Sequence, residues 1–264
     1  MQLSDLVAQA QLFLLVFVRV FALIAIAPLI SSRTIPGLAK AALAFFTSFA
    51  VFPVVESAGY PIPDNGLAYG LLLVGEILVG ILTGFFLVLI YAAFQLAGQL
   101  FSLQMGFGAS QVFDPMAQVQ IPIVGQFLNL VAMFVFVSVG GFQKLFLIGV
   151  QRSFETVRAV DFALMREDLL VEILNRLSRL FEQALMIAFP IMGTLLLIYV
   201  GVGLLGKAAP QMNLLILGFP IAISAAFLII FLAFPFLVEA FEQIISESFE
   251  VLARIFEGAR EVTP

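Results

Sequence analysis

The sequence predicts an all-α membrane protein of about six hydrophobic helices or helical hairpins, with added amphipathic helices and one irregular, plug-like loop. Three observations carry that reading. Hydrophobic residues fill 62% of the 264 positions and charged residues only 11%, with a mean hydropathy of +1.16. An ordinary soluble domain carries about 25% charged residues. So few charges cannot clothe a water-soluble chain of this size, and lipid or partner subunits must take up the apolar surface. Apolar runs recur at the roughly 20-residue length that crosses a bilayer as a helix. Within them the strict apolar–polar alternation of a membrane β-barrel is missing.

The first run, 6–30, holds Arg19 as its only basic residue, and the charge ahead of it is acidic, Asp5. A signal peptide places basic residues before its apolar core, so this run is expected to stay in the mature protein. A turn at 31–37 follows. The run 41–55 is short for a span and is expected to stop at Pro53 and Glu56, as a half-helix or hairpin arm. After a Pro-rich turn at 60–66 come a long run at 67–93 and a polar, nearly uncharged joint from Gln95 to Pro122. Further runs lie at 122–150, 184–205 and 212–238, the last two separated by a turn at 206–211. No polar block is long enough for a separate soluble domain, so residues 1–264 read as a single membrane domain.

Two segments are amphipathic. Between Lys144 and Glu182 six basic and six acidic residues accompany an apolar stripe of Leu170, Ile173, Leu174, Leu177 and Phe181. Glu172 and Arg176, four apart, can pair there. Segment 239–261 sets Phe241, Ile244, Phe249, Leu252 and Ile255 against Glu239, Glu242, Glu247 and Glu250. Each segment reads either as a solvated helix packed on its own protein or as a helix docked on a partner subunit.

Composition also excludes chemistry. The chain has no Cys and no His. That removes thiol catalysis and iron–sulfur ligation, the Ser-His-Asp triad, the HExxH zinc helix and imidazole proton shuttles. The expectation is a protein that is not an enzyme and needs no cofactor or metal. The net charge of −5 argues against nucleic acid as a partner.

Three constellations remain as functional candidates. Glu76 stands among apolar neighbours, where an unpaired carboxylate is costly. It reads as a proton or cation site, or as one side of an interhelical bond, with Arg19 as the candidate partner. Gly80 and Gly84 form a GxxxG step that lets helix backbones approach closely, and Gly201, Gly203 and Gly206 form a second small-residue face. The joint at 98–126 is too uncharged for a free loop and too polar for a span. Gly106 and Gly108 permit unusual dihedrals, while Pro115 and Pro122 forbid a continuous helix. Met105, Phe107, Phe113 and Met116 supply bulk, and six glutamines from Gln99 to Gln126, Gln104 among them, supply neutral polarity. The joint reads as a plain connector or as a re-entrant plug inside a channel.

Three blocks of residues resemble the FliR family of flagellar type III export-gate subunits. They are Gly75–Phe85; Gly98-Gln99 through Gln104-Met105-Gly106-Phe107, with Asp114-Pro115, Pro122 and Gly125-Gln126; and Ala208–Asn213 followed by Gly218-Phe219-Pro220. The likeness covers essentially the whole chain. Met116 and Ala117 stand where the family leads one to expect Gly or Asn, Ala222 replaces an expected basic residue, and Lys207 stands where arginine is usual. The resemblance implies a subunit that joins FliP-like and FliQ-like chains in a gate, near FlhB-like and FlhA-like proteins, in the bacterial inner membrane at the flagellar basal body. It implies passage of unfolded flagellar proteins through the gate, and a plug at 104–122 that includes Asp114. It also implies that apolar helices pack as hairpins on sister subunits. The alternatives are the T subunit of an injectisome, a secondary transporter using Glu76 and Asp114, and a passive scaffold that lines no pore.

Overall fold

The fold was obtained as a computed structural model, which describes residues 3–32, 34–63, 65–106, 123–156, 166–209, 211 and 214–261. These residues are helical throughout, apart from the turns that join helices. The helices are α1 (Leu3–Ile26), α2 (Gly37–Ser57), α3 (Gly66–Gln104), α4 (Ile123–Ser138), α5 (Gly141–Lys144), a π-helical stretch (Leu145–Arg152), α6 (Ser153–Thr156), α7 (Arg166–Ala208) and α8 (Leu214–Glu261). Five are long and apolar enough to cross a membrane, and the broken pair 123–138 and 141–156 makes six if counted as one span. The expected all-α, multi-pass architecture is therefore what the chain adopts.

Helix boundaries depart from the expected ones for local reasons. α2 runs to Ser57 with Pro53 inside it, instead of stopping at that proline. It is long enough to span. α3 continues ten residues beyond 94, through the stretch expected to open the polar joint. No proline or charge interrupts 95–104, and Ala97 and Phe101 are fully buried there, so packing overrides the glutamines. The run 122–150 is broken in the middle, where Gly140 adopts a left-handed φ of +68°. The two amphipathic segments are not separate helices. From residue 166 the first is the start of α7, its described part at 144–156 lying in α5, the π-helical stretch and α6, and the second is the end of α8, so α7 passes from charged to apolar along its length and α8 from apolar to charged.

The residues group into two compact units, Met1–Ile90 with Val139–Arg176 and Ile245–Pro264, and Tyr91–Ser138 with Leu177–Ile244. In the first unit α1 and α2 are antiparallel. Gln9 donates to Glu56 at 3.0 Å, and the Phe13 ring meets Phe45 and Phe52 with centroids 5.3 and 5.9 Å apart. α1 and the start of α3 run parallel: the Tyr69 hydroxyl donates to the Gln11 carbonyl at 2.9 Å, and Leu15 packs with Leu72. Further along, Val79, Phe86, Leu169, Leu252 and Phe256 form a shared apolar core. In the second unit the Phe94 and Phe241 rings lie 4.1 Å apart, and Tyr91 meets Phe136 at 6.1 Å. α3 and α4 approach closely at Gly98 and Gly125, where a Cβ on Gly98 would stand 2.7 Å from the Gly125 nitrogen.

The stripe expected on 239–261 is buried, ending at Phe256 rather than Ile255, and Glu239, Glu242, Glu247 and Glu250 face outward. The stripe expected on 144–182 behaves in the opposite way. Leu170, Leu174 and Phe181 are 60%, 62% and 58% exposed, while α7 packs through Leu169, Leu180, Ala184, Ile187 and Ile191. The predicted Glu172–Arg176 pair forms at 3.1 Å.

Candidate functional site: a buried charge cluster and the end of α3

The charge cluster is built on a single face of α3. Glu76, Gly80 and Gly84 recur at four-residue spacing and so face one neighbour, α1. A Cβ on Gly80 would collide with the Arg19 carbonyl oxygen and stand 2.9 Å from the Ala22 Cβ. One on Gly84 would stand 2.9 Å from the Ile26 Cβ and 3.1 Å from the Leu23 oxygen. The predicted GxxxG step is thus a true helix–helix approach. By contrast, no atom among the described residues lies within 4 Å of an added Cβ at Gly201 or Gly203, so those glycines serve no packing among those residues.

That approach brings Arg19 to Glu76. Both side chains are buried, at 1% and 0% exposure, and the Arg19 Nε donates to Glu76 Oε2. The other carboxylate oxygen, Oε1, accepts from the Tyr60 hydroxyl in the turn after α2. Arg19 Nη1 donates to Ser153 Oγ at 3.2 Å, and the guanidinium lies 3.9 Å above the centre of the Phe154 ring. Ser153 Oγ donates in turn to the Val150 carbonyl at 2.7 Å. A buried ion pair returns its desolvation cost only when its remaining donors and acceptors are bonded, and here both carboxylate oxygens are. The geometry is that of an interhelical lock. Arg19 and Glu76 were legible as a candidate pair in the sequence. Tyr60, Ser153 and Phe154 were not, because each arrives from a distant segment.

The second region is the end of α3. Gln104 closes the helix, and its carbonyl is one of the last four that no helical N–H can reach. The Tyr199 hydroxyl of α7 donates to it. In return Gln104 Nε2 donates to the Met192 carbonyl of α7 at 3.1 Å. Met105 is fully buried behind this clamp. Gly106 turns the chain with φ +91°, bonded to the Leu103 carbonyl at 3.2 Å, and any Cβ there would collide with the Phe219 ring of α8. The remaining residues expected in a plug, Phe107, Gly108, Phe113, Asp114, Pro115, Met116 and Pro122, lie outside the described residues. The described chain resumes with Ile123, two residues before the Gly125 contact on Gly98.

A family model described as "Bacterial export proteins, family 1" matches residues 10–248. The chain belongs to that family. Among its relatives is the flagellar biosynthetic protein FliR of Borreliella burgdorferi, 32% identical over 235 residues, which cover 88% of this chain and 86% of the relative. The FliR of Pectobacterium carotovorum is 31% identical over 253 residues, or 95% of each chain. That of Bacillus subtilis is 30% identical over 221 residues, covering 83% and 84%. The family match includes both regions just described, since Arg19, Glu76, Gln104, Ser153 and Tyr199 all fall within 10–248.

Proposed function

We propose that this chain is a non-catalytic subunit of the flagellar type III protein export gate in the bacterial inner membrane. It helps form and close the channel through which unfolded flagellar proteins leave the cell. The observation that carries this reading is the export-family match across most of the chain, together with relatives named as flagellar biosynthetic proteins. Those names favour the flagellum over an injectisome. FliP-like and FliQ-like subunits are the proposed companions, with FlhB-like and FlhA-like proteins beside them, and the two compact units act together as one gate domain.

The geometry supports a gate over a transporter. Glu76 is held by Arg19 and Tyr60, which leaves it bound within the protein rather than free to carry a proton or cation. The segment 107–122 is the proposed closing element, using Phe107, Phe113 and Met116 as apolar bulk. The segment has a fixed root, since Gln104 is clamped and Gly106 packs against Phe219. The test is to express the chain with 107–122 removed, co-purify it with its neighbouring membrane subunits, and record small-ion conductance in planar bilayers. The expected result is normal assembly with a standing leak. An assembled complex as tight as wild type refutes the closing role.

A further inference from the structure

We infer that the end of α8 is a strap. By holding the π-helical stretch in place it keeps Ser153 and Phe154 on Arg19, so the attachment of the last turns of α8 governs the buried charge lock between α1 and α3. Such a device would serve a gate, a transporter or a scaffold alike, and so stands apart from the export reading.

The π-helical stretch needs a hold from outside. A π-helix bonds i to i+5 in place of i to i+4, is rare, and mostly occurs as a single turn inside an α-helix. Here it runs for eight residues, Leu145–Arg152. Returning it to α geometry would turn everything after it about the helix axis, and Ser153 and Phe154 come next. Both are buried against Arg19, which donates to the Ser153 hydroxyl and lies over the Phe154 ring. On its inner side the stretch rests on α1 and α3, where a Cβ on Gly149 would meet Leu23 and Thr83 at 3.5 and 3.4 Å.

The end of α8 supplies the hold from the other side. Lys144, just ahead of the stretch, donates to Ser246 Oγ at 3.3 Å, and Arg152, its last residue, pairs with Glu257. The stretch is thus fastened to one helix at both of its ends. Between the fasteners Phe249, Leu252 and Phe256 are buried. Leu252 and Phe256 share a core with Val79 and Phe86 of α3 and Leu169 of α7, and Ile148 of the stretch packs against that core. All of these residues belong to the first compact unit. Residues 249–261 lie beyond the family-matched stretch 10–248, so the family likeness does not supply the strap.

The two kinds of contact do different work. Apolar burial gives the strap most of its grip. The Arg152–Glu257 pair is 42% and 54% exposed, so water and salt leave it little energy, but it fixes the position of Arg152 and hence of Ser153 beside it. A charged group arriving from outside competes for that pair at the surface, which makes the lock adjustable without entry into the apolar core.

The natural chain has no cysteine, so a single thiol can report on the lock. Ser153→Cys places one beside Arg19. Val55→Cys places a control at another buried position, next to the Gln9–Glu56 bond and ten residues along α1 from Arg19. Each is labelled with a water-borne maleimide in the detergent-solubilised full chain, with the strap intact or weakened by Phe256→Ala. The expected result is about tenfold faster labelling of Ser153→Cys in the weakened chain, with Val55→Cys unchanged. Where Phe256→Ala does not accumulate, Glu257→Gln removes only the exposed pair and should give a rise of about twofold at Ser153→Cys alone. Unchanged labelling of Ser153→Cys overturns the strap. A rise of equal size at both positions shows general loosening and overturns it as well.

Discussion

Arg19 and Glu76 are worth more as a pair than either is alone. Removing one partner, as in Glu76→Ala, strands a buried charge and should cost about 3–5 kcal/mol. Replacing both with leucine removes the stranded charge and should recover most of that loss. Thermal unfolding of the detergent-solubilised protein checks both, and a double variant no better than the singles would show that the pair does more than lock α1 to α3. Gly80→Ala tests the same lock from the backbone side. Its added methyl meets the Arg19 carbonyl, which cannot rotate away, so α1 and α3 must separate at a cost of about 1–3 kcal/mol. The pair was legible in the sequence because a lone arginine and a lone glutamate in two apolar runs have few other ways to be satisfied. Tyr60, Ser153 and Phe154 were not, because hydroxyls and rings in turns and short helices leave no periodic trace.

At the scale of elements, helix identity was legible and helix length was not. The apolar runs located α1, α2, α3, α4, α7 and α8, since burial or lipid demands them. Their ends were misplaced where tertiary packing carried a helix through polar sequence, as at 95–104, or where a charged amphipathic stretch joined an apolar one without a break. At 1.5 Å per residue a hydrocarbon core of about 30 Å takes about 20 residues, so α7 with 43 residues and α8 with 48 each hold more than one span's worth. The charged ends, 166–182 in α7 and 239–261 in α8, belong outside that core. Glycines along these elements make contrasting predictions. Gly140→Ala forces a side chain into a left-handed turn and should cost about 1–2 kcal/mol. Gly203→Ala, in open space within a helix, should stabilise the isolated chain by about 0.5–1 kcal/mol. Equal effects of the two in thermal unfolding would contradict the break seen at Gly140.

For the whole molecule, the all-α membrane class followed from composition and run length alone. Export required more: a family likeness spread over three blocks, then a match across 10–248. Two parts of the candidate gate were marked in the sequence, the glycine turn at 106 and the bulky residues beyond it. The anchoring partners on α7 and α8 were not, because Tyr199 and Phe219 lie about a hundred positions away in apolar sequence that looks like ordinary membrane helix. In the proposed gate the middle of the chain closes a protein-walled conduit. Because the natural chain contains no cysteine, single cysteines at Phe107, Phe113 and Met116 can report directly on aqueous access within the intact complex. Slow reaction with a water-borne thiol reagent is expected in the resting complex, and rapid reaction when a stalled substrate holds the passage open. Rapid reaction at all three positions in both conditions would contradict it.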